Sequence, residues 1–294
     1  MRHDAFSGLH PAVNLLYFVL VLTFSLWFSH PVCQGIALTA AFAYSICLRG
    51  ASAARLDFLG LIPLVLITAL LNPLFSHQGV TILAYLPTGN PLTEESVLYG
   101  FSAGAALAAV LCWFFCLNAV FSSDQFVYLF GRVIPSLSLV LSMTLRFVPR
   151  FVRQFRRVSQ ARSALREHPG GTTPGIRDAL AILSGVAGWA MENAVETADS
   201  MKSRGYGLPG RTAYSLYRFD RRDRLTLLFL ALAGAFLAAC RATGALDWRY
   251  YPSVRGNWTP LSAAACAAYA LLCLLPVLLK IAEDRTWKTL KSGT

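Results

Sequence analysis

Hydrophobic residues gather into six long runs along this chain, at positions 11–28, 32–48, 58–75, 96–121, 225–240 and 259–281. Crossing the hydrocarbon core of a bilayer takes roughly 17–25 apolar residues in a helix. The pattern therefore predicts six transmembrane helices, the second and fifth of them short. The first run carries no Ala-x-Ala cleavage pattern and reads as a retained span rather than a signal peptide. Between the fourth and fifth runs the pattern changes, and residues 122–224 are polar and basic.

Inside that segment the apolar period is helical. Positions 137, 141, 145, 148, 152, 155 and 158 are apolar at spacings of three and four, which predicts one amphipathic helix over 136–165. Arg146, Arg150, Arg153 and Arg157 form a narrow basic stripe nearly opposite Val148, Val152 and Phe155. Pro149 is expected to kink or interrupt this helix. His168-Pro169-Gly170-Gly171 then stops it. A second helix restarts with Thr173 as N-cap and Pro174 at its first position. Ile176, Leu180, Leu183, Ala187, Met191, Ala194, Ala198 and Met201 line one face of it, and Glu192, Glu196 and Asp199 form an acidic stripe. Gly205 is the natural left-handed residue to end it. The two stripes either meet in a charge network between the helices or each face water or lipid headgroups.

Charge sets the orientation. The chain has 294 residues and a net charge of +11, with only 14% charged residues against about 25% in soluble domains. Sixteen of the 26 Lys and Arg residues lie in 122–224, whereas 76–95 has none. The positive-inside rule puts the central segment, the 49–57 loop and both termini in the cytoplasm. The loop bearing Arg241, Arg249 and Arg255 runs against this scheme, but the larger asymmetry outweighs it. Basic cytoplasmic loops account for the charge without nucleic acid as a partner.

Catalytic chemistry is absent from the pattern. No P-loop and no Gly-x-Ser-x-Gly elbow occurs, and the five histidines form no His-x-x-x-His or Glu-x-x-His pairing. No cofactor or metal is expected. The seven cysteines fall in or beside the spans without a Cys-x-x-Cys pair and read as small packing residues. Asn14, Asn72 and Asn118 read as hydrogen-bond formers between helices. What remains is a membrane anchor with a basic amphipathic module, which either docks partner proteins or lies on anionic lipid. The Ser203-Arg204-Gly205 helix end favours docking, because an arginine freed by the following glycine can reach a carboxylate-lined groove.

Several motifs, in order and over most of the length, carry a family likeness. They are His10-Pro11-Ala12-Val13-Asn14; Asn72-Pro73-Leu74-Phe75 with Gly79; Arg132-Val133-Ile134-Pro135; Leu145-Arg146-Phe147-Val148-Pro149; and Met191-Glu192 with Ser200-Met201-Lys202-Ser203-Arg204-Gly205-Tyr206-Gly207. On these the chain resembles the transmembrane T component, EcfT or CbiQ-like, of energy-coupling factor ABC transporters. The resemblance implies a non-catalytic, all-α polytopic membrane protein with about six spans and two long cytoplasmic coupling helices. It divides the chain into spans at 1–121, a coupling region at 122–224, and spans with a basic tail at 225–294. The implied partners are two ABC-type ATPase subunits, a substrate-binding S component and the lipid bilayer of a bacterial or archaeal cell membrane. The cargo is a vitamin or metal ion that this chain does not select. Each coupling helix of the family ends in an Ala-Arg-Gly-like motif whose arginine docks an ATPase. The second motif matches at Ser203-Arg204-Gly205. The first falls at Ala161-Arg162-Ser163, with serine for glycine, and Arg166 competes with Arg162 for its role. The alternative reading is a membrane enzyme acting on lipid substrates at the cytoplasmic interface; a lone membrane scaffold is a third.

Overall fold

The computed structural model describes residues 6–76, 79–85, 91–164, 175–209, 217–256 and 258–292. Residues 165–174, with Arg166, the expected 168–171 stop and the expected Thr173-Pro174 start, and residues 86–90 of the expected irregular loop lie outside the described residues. The chain divides into two compact units: Met1–Ser122 with Tyr217–Thr294, and Ser123–Leu216.

The first unit is a bundle of α1 (Pro11–Trp27), α2 (Pro31–Arg49), α3 (Ala51–Phe75), α4 (Glu94–Val120), α8 (Arg221–Ala242) and α9 (Pro260–Ser292). Two small antiparallel ribbons join them: β1 (Ile82–Tyr85) with β2 (Pro91–Thr93), and β3 (Trp248–Arg249) with β4 (Arg255–Gly256). Among the described residues, Pro31–Arg49, Glu94–Val120, Arg221–Ala242 and Pro260–Glu283 are long and apolar enough to cross a membrane. Pro11–Trp27 and Leu59–Phe75 form shorter apolar helices. The seventeen residues of α1 rise about 26 Å, slightly less than a hydrocarbon core of about 30 Å, whereas Leu59–Phe75 is the C-terminal part of the longer α3. The chain is a multi-pass helical membrane protein.

Helix α4 is the hub, packing on α1, α2 and α3. Trp113, fully buried, sits among Tyr17, Phe18 and Tyr44, with ring centroids 6.0–6.4 Å away in edge-on and tilted poses. Such aromatic pairs add about 0.5–1.5 kcal/mol each beyond the area they bury. On the α3 side, Gly100 and Gly104 make a Gly-x-x-x-Gly face. A Cβ on Gly104 would lie 2.3 Å from Thr68 Oγ1 and 3.1 Å from the Val65 backbone; one on Gly100 would lie 3.0 Å from the Ala69 backbone. The absent side chains let two backbones meet where lipid gives no hydrophobic drive for helices to associate. Asn72 fastens the same pair by donating to the Ser96 carbonyl at 2.8 Å, as its sequence position suggested. Asn14 instead bonds locally, to the Leu9 carbonyl.

Helix ends in this unit repeat one solution. His10 and His30 each accept an N–H two residues on through Nδ1, from Ala12 at 3.2 Å and Val32 at 3.3 Å, and each is followed by proline at the first helical position. Proline has no N–H to leave unpaired there. At α8, Asp223 accepts the Asp220 N–H at 2.9 Å and the His10 N–H at 3.0 Å, so one carboxylate ties the starts of α1 and α8 together. At the start of α4, the Glu95 carboxylate accepts the Thr81 hydroxyl at 2.8 Å and the Thr81 N–H. At the end of the unit holding the α1–α2 turn, Tyr250 donates to Ser102 at 2.8 Å or to the Ser29 carbonyl. Burial pushes His30 below its ordinary pKa and Tyr250 above its own, so both are uncharged at neutral pH. Arg241, which ran against the charge pattern, is paired with Asp247.

Two substitutions test this packing. Trp113→Ala is expected to lower stability by about 3–5 kcal/mol. Gly104→Leu should drive α3 from α4 and abolish a monodisperse, folded species. Thermal unfolding of the purified chain in detergent measures both; a Gly104→Leu chain as stable as wild type would show that the helices do not meet there.

Candidate functional site

The second unit is built on a pair of long helices, α6 (Pro135–Ala164) and α7 (Ile176–Ser203), preceded by the short α5 (Ser123–Val133). Helix α6 continues through Pro149 without interruption. The expected break is absent; downstream, Arg153 Nε donates to the Pro149 carbonyl at 3.3 Å. Helix α7 begins with Gly175 as N-cap.

Three contacts fix the register of the pair as antiparallel. Phe151 meets Trp189 edge-to-face with centroids 5.7 Å apart, Val158 packs 3.7 Å from where a Cβ on Gly185 would lie, and Arg162 Nε donates to Asp178 Oδ1 at 3.4 Å. The facing residues on α6 are thus Phe151, Val158 and Arg162, spaced at seven and four. On α7 they lie close to Ile182, its one buried residue among those described. This face mixes aromatic, aliphatic and charged groups, so on α6 apolar periodicity picks out Val158 and misses Phe151 and Arg162. Asp178 and Trp189 were not singled out by sequence; the signal for Asp178 was an acid in the first turn of a helix, which the helix dipole favours.

The apolar faces read from sequence point elsewhere. Leu145, Val148, Val152 and Phe155 on α6 are exposed, as are Ile176, Leu180, Leu183 and Met191 on α7, the last at 76%. A narrow seam holds the two helices together, and the broader apolar stripes stay exposed. The charged stripes are also exposed. Among the described residues no ion pair joins Arg146, Arg150, Arg153 or Arg157 to Glu192, Glu196 or Asp199; the ion pair that crosses between the helices is Arg162–Asp178.

The two short motifs sit at helix ends. Ala161, Arg162 and Ser163 occupy the last turn of α6; all three are exposed, and Ser163 donates to the Gln160 carbonyl. At the end of α7, Ser203 donates to the Asp199 carbonyl and Arg204 is the C-cap. Gly205 has φ +82°, its N–H donates to the Lys202 carbonyl at 2.9 Å, and the Tyr206 N–H donates to the Met201 carbonyl at 3.0 Å. This paired arrangement is a Schellman motif, which satisfies carbonyls the helix would otherwise leave open. It turns the chain away and leaves the Arg204 side chain exposed. Because Arg162 contacts Asp178 at the start of α7, Arg162 and Arg204 stand at opposite ends of that helix. At about 1.5 Å per residue they are about 39 Å apart.

No family model matches the chain. The chain is similar to the energy-coupling factor transporter transmembrane protein EcfT of Bacillus selenitireducens, with 23% identity over 244 residues, covering 78% of this chain and 91% of that protein. The identity is modest, but the likeness covers most of both chains, so it supports an EcfT-like transmembrane component rather than a shared fragment.

Replacing Gly205 with valine forces a left-handed backbone on a β-branched residue, at a cost of about 1–3 kcal/mol. The expected result is faster hydrogen exchange in the last turn of α7, while Gly205→Asn restores protection. Asp178→Ala removes an exposed pair and should change stability by no more than about 1 kcal/mol. Equal exchange in the valine and wild-type chains would show that the turn does not depend on glycine.

Proposed function

We propose that this EcfT-like membrane chain is the transmembrane coupling subunit of an energy-coupling factor ABC importer. It is not itself an enzyme. Six helices cross the cell membrane with both termini in the cytoplasm, and residues 122–224 form the cytoplasmic coupling region. Arg204 and Arg162 each dock one of two ABC-type ATPase subunits through charge-assisted hydrogen bonds to carboxylates of the partner. Ser203 and Gly205 hold the first of these arginines at its helix end; Ala161 and Ser163 flank the second. The exposed stripes carrying Arg146, Arg150, Arg153, Arg157, Glu192, Glu196 and Asp199 orient the helices against partners and headgroups. The S component, which captures a vitamin or metal ion, is the other partner.

The observation that carries the reading is the placement of the two arginines. A single docking surface would want them side by side. Two helix ends about 39 Å apart, at opposite ends of one stiff helix, suit two separate grooves, and a change in the distance between those grooves would tilt the helix as a lever. ATP-driven closure of the two ATPases supplies such a change. The exposed apolar stripes of α6 and α7 support the reading further, since contiguous apolar surface outside a core marks an interaction face.

The test is co-purification. With the tagged chain as bait in solubilised native membranes, two ABC-type ATPase subunits are expected by mass spectrometry. Arg204→Glu should cut their recovery at least about tenfold by leaving like charges buried in the contact. Undiminished recovery with Arg204→Glu and Arg162→Glu combined would overturn the docking roles.

A further inference from the structure

At the end of the first unit opposite Arg49, three metal-ligating side chains from the start of α2 and from α9 converge. His30 lies in the turn between α1 and α2, Cys33 in the first turn of α2, and Cys266 in the second turn of α9. Their ligand atoms all lie within 4.8 Å of one another, and all three residues are buried. The Cys33 and Cys266 sulfurs are 3.5 Å apart. Cys266 lies more than 200 positions from His30 and Cys33 and has no local reason to meet them; the packing of α2 on α9 brings them together.

A second observation marks the cluster as incomplete. His30 Nε2 is buried with no hydrogen-bond partner, and His30 is 1% exposed. Leaving such a group unsatisfied costs about 1–3 kcal/mol. The ring is enclosed by Trp248 and Trp258, with centroids 4.8 and 5.1 Å away. Trp258 is itself exposed, so the site lies one indole ring below the surface.

The geometry points to a Cys2His site that binds one Zn2+ and staples the α1–α2 turn to α9. Two thiolates on a tetrahedral zinc with bonds of about 2.3 Å stand about 3.8 Å apart, close to the spacing of these sulfurs. Soft thiolates select zinc over magnesium or calcium. Two thiolates, a neutral imidazole and a divalent cation sum to zero charge, which is the only total that so dry a setting accepts cheaply. Binding balances as follows. Both thiols lose their protons to solvent, and the imidazole proton passes from Nε2 to Nδ1, so that Nε2 presents its lone pair. The 3.3 Å bond from the Val32 N–H to Nδ1 is released, and that N–H, in the first turn of α2, is one of those water ordinarily satisfies. This inference does not rest on the coupling role.

The test uses the full chain, purified in detergent through a tag that holds no metal and without chelators. Elemental analysis is expected to find about one zinc per wild-type chain and at least tenfold less in Cys33→Ser/Cys266→Ser. After chelation, Co2+ added to the wild-type chain should saturate at about one equivalent with a thiolate-to-cobalt charge-transfer band. That band decides the matter on wild-type protein alone if the double variant does not fold. No zinc and no band would overturn the site. So would thiols at Cys33 and Cys266 that react with a maleimide only after reduction, since that identifies a disulfide instead.

Discussion

How closely α4 can approach its neighbours governs the first unit. In a bilayer, lipid tails are as apolar as leucine, so helices associate through van der Waals fit and a few polar contacts. Gly100 and Gly104 remove side chains where α3 arrives, and Trp113 fills the space where α1 and α2 arrive. A small-residue face and a bulky aromatic face lie on the same helix, so α4 can sit tight on one side and deep on the other. The positions of α1, α2 and α3 follow from that helix, and α9 and α8 follow from α2 and α1.

The second organising demand is the backbone at helix ends. Orphan N–H and C=O groups need partners wherever a helix stops. His10 and His30 supply them at two starts, the Asp220–Asp223 capping box at a third, and Gly205 with its flanking bonds at the end of α7. Several motifs that carry the family likeness coincide with these ends. His10-Pro11 begins α1 and is bonded to Asp223; Ser203-Arg204-Gly205 closes α7. Their residue types are explained by capping before any function is assigned, and in α7 the capping geometry also determines where the arginine stands.

The charged hairpin combines stiffness with unused surface. A narrow seam of Phe151, Trp189, Val158 and the Arg162–Asp178 pair holds α6 to α7, while most of their apolar residues remain outside it. A hairpin that spent its apolar face on itself would have nothing left for a partner. Seven scattered cysteines carry a parallel lesson. As a list they read as helix-packing residues, yet two of them meet a buried histidine once the helices assemble.

Sequence alone determined the membrane character, the positions of the apolar runs, the existence of two long helices in the basic segment and the glycine stop at 205. Each of these is local: it depends on hydropathy over about 20 residues, on a period of 3.6, or on a backbone angle that glycine adopts freely. Tertiary structure decided which helical face is covered, that the charge stripes of α6 and α7 stay apart, that α6 passes through Pro149, and that His30, Cys33 and Cys266 share one place. The physical reason is that periodicity identifies an apolar face without naming what covers it. Which surfaces meet depends on the fit between helices distant in sequence, and a small residue such as Gly100 or Gly104 decides that fit as firmly as any hydrophobic stripe.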